Sequence, residues 1–222
     1  MPWEKFKRRC CASGFIDRQI VVQTIDRIVA AFGKQGRVTM PGFLEDGLRS
    51  MLESEIQVLS SQGALRAAAI GAGSNRQVRK EIRADELHWW DTLAPSNAQR
   101  DCLDRMEQLR LAFNRQLQMG LWEFECHYSR YAAGTFYRRH LDQVAGSLQR
   151  SVSCVLYLNA SWTPADGGIL RIYLDNKSET LFEDIVPQPG RLVLFSSARF
   201  PHEVLTVQRE RLSIAGWFST RP

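Results

Sequence analysis

The sequence predicts an α+β fold in which helices of the first half buttress an antiparallel sandwich or jelly-roll core in the second half. Three observations carry this. Apolar residues recur at helical spacing up to about residue 118, whereas from about residue 120 they come in short β-branched and aromatic runs. Those runs are separated by turn sequences (AAG, PADGG, DNKS, PQPG) without intervening helices, which disfavours the strand–helix alternation of a parallel α/β sheet. Finally, 222 residues with 44% hydrophobic and 24% charged composition suffice for one well-buried core. Residues 1–222 are therefore expected to form a single domain, with helical support over 1–118 and the β-core over 119–222.

Each element has its own signal. Val21, Ile25, Ile28 and Phe32 share one helical face, and Gly33 and Gly36 can end that helix. RVTM (37–40) reads as a short strand stopped by Pro41-Gly42. Leu44, Leu48, Leu52, Ile56 and Leu59 form a second apolar stripe. Cys102, Met106, Leu109, Phe113 and Leu117 form a third, after the helix start Pro95-Ser96-Asn97. The strands follow as WEFECHYSRY, SVSCVLYLN, GGILRIYL and RLVLFS.

The net charge of +5 is mild and reads as a solvated surface, with nucleic acid an unlikely partner. Five cysteines, odd in number and without CxxC spacing, argue against a disulfide framework or zinc knuckle and fit a reducing cytoplasm. The basic start MPWEKFKRRCC lacks the apolar run of a signal peptide, and no run approaches the roughly 18 residues that span a membrane.

The chemistry gathers in FYRRHLDQVAG (136–146). In an extended segment His140 and Asp142, two residues apart, project from one face and can reach a common point. His202, in FPHEV at the opening of a later strand, supplies a second imidazole. Two histidines and one carboxylate occupy one face of an octahedral metal and leave the opposite positions open, as in non-haem Fe(II) oxygenases; zinc more often takes a third histidine or thiolates. An exposed loop histidine beside an aspartate is the plainer reading of HxD alone. Arg211 strengthens the metal reading: alternation on the last strand puts Arg211, Ser213 and Ala215 on one face, and a buried arginine can clamp a carboxylate bidentately.

The stretches YRRHLD, CVLYLN, GGILRIY, PHEV and RLSIAGWF, in this order over roughly residues 120–220, resemble the 2-oxoglutarate- and Fe(II)-dependent prolyl 4-hydroxylases, most closely the oxygen-sensing (hypoxia-inducible factor) type and its bacterial relatives. IRADELHWW (82–90) extends the likeness into the first half. The resemblance implies a double-stranded β-helix, the cupin-like form of the jelly roll. It implies iron on His140, Asp142 and His202, and the C5 carboxylate of 2-oxoglutarate on Arg211 with the Tyr157 hydroxyl. Tyr131 and Tyr137 would line the pocket, Leu170 would form an apolar wall beside the co-substrate, and Arg150 and Trp217 would face the substrate. Ala215 departs from relatives that carry a hydroxyl near the co-substrate; Ser213 or water would then supply that hydrogen bond, or nothing would.

The implied reaction couples oxidative decarboxylation of 2-oxoglutarate by O2, giving succinate and CO2, to hydroxylation of a prolyl residue at C4, with ascorbate as auxiliary reductant. Residues 71–85, glycine-rich and cationic but without the GK[ST] of a phosphate loop, correspond to a mobile finger that folds over the substrate, with Arg83 and Asp85 near its end. By resemblance to bacterial members the favoured substrate is elongation factor Tu; in an animal a hypoxia-inducible transcription factor would replace it. Two other readings stay open: an oxygenase acting on alkylated nucleic acid, and a non-catalytic jelly-roll binding module.

Overall fold

The computed structural model describes residues 23–70, 77–143 and 150–221. Val21, Cys10, Cys11, residues 71–76 of the expected finger and residues 144–149 lie outside the described residues. Helical periodicity gives α1 (to residue 35), α2 (Asp46–Ser61) and α3 (Asn97–Leu117). Gly36, at φ 71°, ends α1, while Gly33 lies inside the helix. Leu44 is buried just ahead of α2 rather than in it. α3 starts where Pro95-Ser96-Asn97 predicts: the Ser96 hydroxyl accepts from the Gln99 N–H, and the Gln99 side chain accepts from the Ser96 N–H.

Among the described residues, eleven strands make two antiparallel sheets. They are β1 (Arg37–Met40), β2 (Arg66–Ala67), β3 (Glu86–Trp89), β4 (Leu121–Tyr131), β5 (Tyr137–His140), β6 (Arg150–Tyr157), β7 (Leu170–Tyr173), β8 (Phe182–Ile185), β9 (Leu192–Ser196), β10 (His202–Val204) and β11 (Arg211–Thr220). The larger sheet runs β1-β9-β6-β11-β4-β3-β2 and the smaller β5-β10-β7-β8. This is a jelly-roll core with helices packed on one face of the larger sheet.

The period-two alternation of each strand divides its side chains between two environments. Leu192 and Leu194 of β9, Leu212 and Ile214 of β11, and Cys126 and Tyr128 of β4 join the helices in one apolar core. Val193 and Phe195 point the other way, into a second core between the sheets with Leu170, Ile172, Phe200 and Val204. The polar or small residues of β11 (Arg211, Ser213, Ala215) also face the inter-sheet side, lining a cavity there. Cys102, Cys126 and Cys154 are buried free thiols. No helix among the described residues is long and apolar enough to cross a membrane.

Candidate metal and co-substrate site

A cavity of about 640 Å³ opens between the sheets. Its inner wall brings together the three residues of the sequence-derived metal set. His140 and His202 pair directly across the β5–β10 ladder, and Asp142 follows β5 by two residues. One ligand atom from each lies within 4.8 Å of the others. His140 Nε2 is 3.5 Å from one Asp142 oxygen and His202 Nε2 is 3.6 Å from the other.

Both imidazoles are oriented from behind. His140 Nδ1 lies 2.8 Å from the Arg138 carbonyl and His202 Nδ1 lies 3.1 Å from the Phe200 carbonyl. Protons on both Nδ1 atoms leave the Nε2 lone pairs facing the carboxylate, as metal ligation requires. Burial, reinforced by His140, holds His202 down to about 4. Burial works to raise the Asp142 carboxyl, but His202 and His140, whenever they carry a second proton, and the Ser153 hydroxyl outweigh it and hold it well below the usual carboxylate range. Two neutral nitrogens and one carboxylate oxygen on one side of a point fit a divalent transition metal.

A support for Asp142 escaped the sequence reading. Ser153 Oγ donates to Asp142 Oδ2 at 2.6 Å and lies 2.9 Å from Ser197 Oγ, with both serines buried. This hydroxyl pair, from β6 and the residue just after β9, engages one carboxylate oxygen and would leave the other for a metal ion. Ser153→Ala is expected to weaken metal binding about 10–100-fold, the usual effect of losing an outer-shell partner. Titrating the protein with Mn(II) under exclusion of oxygen would measure it.

Arg211 lies deeper. It is 2% exposed, its Nη1 donates to Ser213 Oγ at 3.3 Å, and its guanidinium sits 5.1 Å from the Tyr131 ring centre and 4.9 Å from that of Tyr157. Among the described residues no carboxylate pairs with it, and both Arg211 Nε and Tyr157 Oη are buried without a hydrogen-bond partner. A buried unpaired cation beside an unpaired phenol is costly unless an anion joins it. The pair therefore fits a carboxylate-bearing co-substrate. Gly168 makes room for it: a Cβ there would approach Arg211 Cδ to 2.9 Å, and φ of 61° suits glycine. Leu170 also lines the cavity.

At the mouth, Tyr137 stacks on His140 with ring centres 3.6 Å apart, and the Arg83 guanidinium covers Tyr137 at 4.7 Å. Arg83 forms a bidentate pair with Asp85 at 2.6 and 2.9 Å. The side chain of Asp85 is fully buried and also accepts from Ser129. The expectation that Asp85 touches substrate thus needs correction: Arg83 lines the cavity, whereas Asp85 lies beneath it as its anchor. Arg150 lies 3.6 Å above the Trp217 ring and pairs with Glu125. Both Arg150 and Trp217 line the outer cavity.

Fold and site together define a class, the non-haem iron oxygenases. The model of the 2OG-Fe(II) oxygenase superfamily matches residues 126–219. A Pseudomonas putida prolyl-4-hydroxylase of known structure is 39% identical, with a TM-score of 0.80; the match covers 89% of this chain and all of that one. A Trichoplax adhaerens prolyl hydroxylase, solved with a hypoxia-inducible factor peptide, shares the fold at TM-score 0.77 and 24% identity, over 89% of this chain and 91% of that one. The hypoxia-inducible factor prolyl hydroxylase of Caenorhabditis elegans is 25% identical over 203 residues, 87% of this chain but 28% of that protein. The chain spans about a quarter of the length of the curated relatives it matches. The chain belongs to the 2-oxoglutarate- and Fe(II)-dependent oxygenases, in the prolyl 4-hydroxylase family.

Proposed function

We propose that this protein hydroxylates a prolyl residue of a protein substrate at C4, with Fe(II) on His140, Asp142 and His202 and 2-oxoglutarate on Arg211. The observation that carries the reading is the pairing, in one cavity, of the His–Asp–His cluster with a buried arginine that lacks an anionic partner among the described residues. Iron, when bound, supplies the activation of O2 that is coupled to conversion of 2-oxoglutarate to succinate and CO2. The chain's own part is to bind and orient. Arg211 and Tyr157 fix the distal carboxylate, Tyr131 and Leu170 shape the inner wall, and Ser213 steadies the guanidinium.

The substrate enters from the outer side, where Arg83, Tyr137, Arg150 and Trp217 meet it. A prolyl ring carries no charge, so most of its affinity comes from flanking contacts and shape. Elongation factor Tu is the favoured substrate, in keeping with the likeness to a bacterial prolyl-4-hydroxylase. Ascorbate serves as auxiliary reductant, and the cytoplasm is the expected compartment.

The test is succinate formation dependent on O2 and 2-oxoglutarate, with mass spectrometry locating one added oxygen atom on a proline of elongation factor Tu. Oxygen found on nucleic acid, or on no proline of any protein offered, would overturn the reading. Asp85→Ala frees Arg83 from its anchor. It is expected to lower substrate hydroxylation about tenfold or more while sparing 2-oxoglutarate turnover without substrate; equal losses in both rates would make the pair a support of the fold alone.

A further inference from the structure

Two buried polar atoms of the cavity wall have no hydrogen-bonding role in the scheme above, although the Trp217 ring is placed where the substrate enters. His127 Nε2 and Trp217 Nε1 have no hydrogen-bond partner among the described residues, although both side chains line the cavity. His127 is 1% exposed and its ring centre lies 5.6 Å from that of Trp217. Its Nδ1 is 3.0 Å from the Tyr128 carbonyl, which places the proton there and leaves Nε2 as a bare acceptor. Burial, with the Arg83 guanidinium contributing, pushes His127 down to about 4 and keeps the ring neutral. Trp217 Nε1 can only donate. The wall thus holds one unpaired acceptor and one unpaired donor side by side. Each costs about 1–3 kcal/mol while unmet.

Their place in the sheet separates them from the co-substrate. Along the cavity face, β4 and β11 pair as Tyr131 with Arg211, Ser129 with Ser213, His127 with Ala215, and Glu125 with Trp217. His127 is four residues from Tyr131, roughly 13 Å along an extended strand, on the way to the mouth. Ala215, opposite it, sets only a methyl group beside the imidazole, and Trp89 packs against it edge-on at 4.8 Å.

We infer that His127 and Trp217 form a peptide-backbone subsite: His127 Nε2 accepts the main-chain N–H of a residue flanking the target proline, and Trp217 Nε1 donates to a main-chain carbonyl. This rests on the prolyl-substrate reading. An extended peptide presents the N–H and C=O of one residue on the same edge, matching an adjacent acceptor and donor. Proline itself has no N–H, so the contact belongs to a neighbour. One flanking position must then refuse proline, because the imidazole would stay buried and unpaired.

The experiment measures peptide KM for the parent, His127→Leu and His127→Gln, using a prolyl peptide that the parent hydroxylates and a set of its variants N-methylated at one flanking amide each. His127→Leu is expected to raise KM about tenfold, with the 2-oxoglutarate and Mn(II) dissociation constants held; His127→Gln, which keeps an acceptor, recovers part of the loss. One N-methylated peptide should lose about tenfold with the parent and nothing further with His127→Leu. Equal losses for every methylated peptide in both proteins, or an unchanged KM for His127→Leu, would overturn the subsite while leaving prolyl hydroxylation standing. A parent that hydroxylates no prolyl substrate would overturn both together.

Discussion

His202→Ala is expected to abolish Fe(II) binding and turnover while leaving the fold intact. Among the described residues three protein ligands converge at the site, within 4.8 Å of one another, and Fe(II) lies low in the affinity order of divalent metals. Losing one imidazole leaves His140 and Asp142, a pair no better than many surface clusters, so the loss should exceed the roughly hundredfold of an outer-shell change. The effect can be read without turnover. A metal that binds only the folded state stabilises it by about 2.7 kcal/mol at a hundred times its dissociation constant. Mn(II) should therefore raise the unfolding temperature of the parent and not that of the variant. His202 pairs with His140 and packs edge-on against Phe195, 4.6 Å between centres, so the metal-free variant keeps its strand pairing. A variant that retains the Mn(II) shift and full activity would place the metal elsewhere.

Arg211→Ala is expected to raise the 2-oxoglutarate requirement between about a hundredfold and a few thousandfold. The range follows from the roughly 3–5 kcal/mol lost when one partner of a buried ion pair is removed. Arg211 touches Ser213, Tyr131 and Tyr157 but none of the three metal-set residues, so Mn(II) binding should hold. Arg211→Lys keeps the charge but not the planar fork, and should recover only part of the loss. Unchanged 2-oxoglutarate dependence in Arg211→Ala would put the clamp on another residue.

What the sequence disclosed depended on whether a signal was local. The stripe Cys102–Leu117 and the cap at Ser96 are short-range patterns, and α3 forms where they place it. His140 and Asp142 stand two apart, so their nearness was legible locally, although β5 ends at His140 and Asp142 turns toward it from the bend beyond the strand. β8 escaped notice because only Phe182 and Ile185 are apolar, with Glu183 and Asp184 between them breaking both run and alternation, at the edge of the smaller sheet. The Ser153–Ser197 pair and the His127–Trp217 wall depend on strands meeting across long separations. Serine and histidine give no periodic signal of their own. The buried state of Asp85 was hidden for a similar reason: a charged residue in a short segment reads as exposed until its partner, Arg83, folds over it.

The three buried thiols bear on durability. A site that activates O2 exposes its own protein to stray oxidants, and the thiolate is the form of cysteine most readily attacked. Burial pushes Cys102 up to about 12 and holds Cys126 and Cys154 well above the ordinary thiol range. All three side chains sit in the core shared with the helices, on the far face of the sheet that walls the cavity. The sheet thus works as a shield as well as a scaffold. Its reactive side carries histidine, serine and arginine, whereas the thiols of Cys102, Cys126 and Cys154 are buried in the helix-side core and held protonated, with Cys154 the one of the three that also borders the cavity.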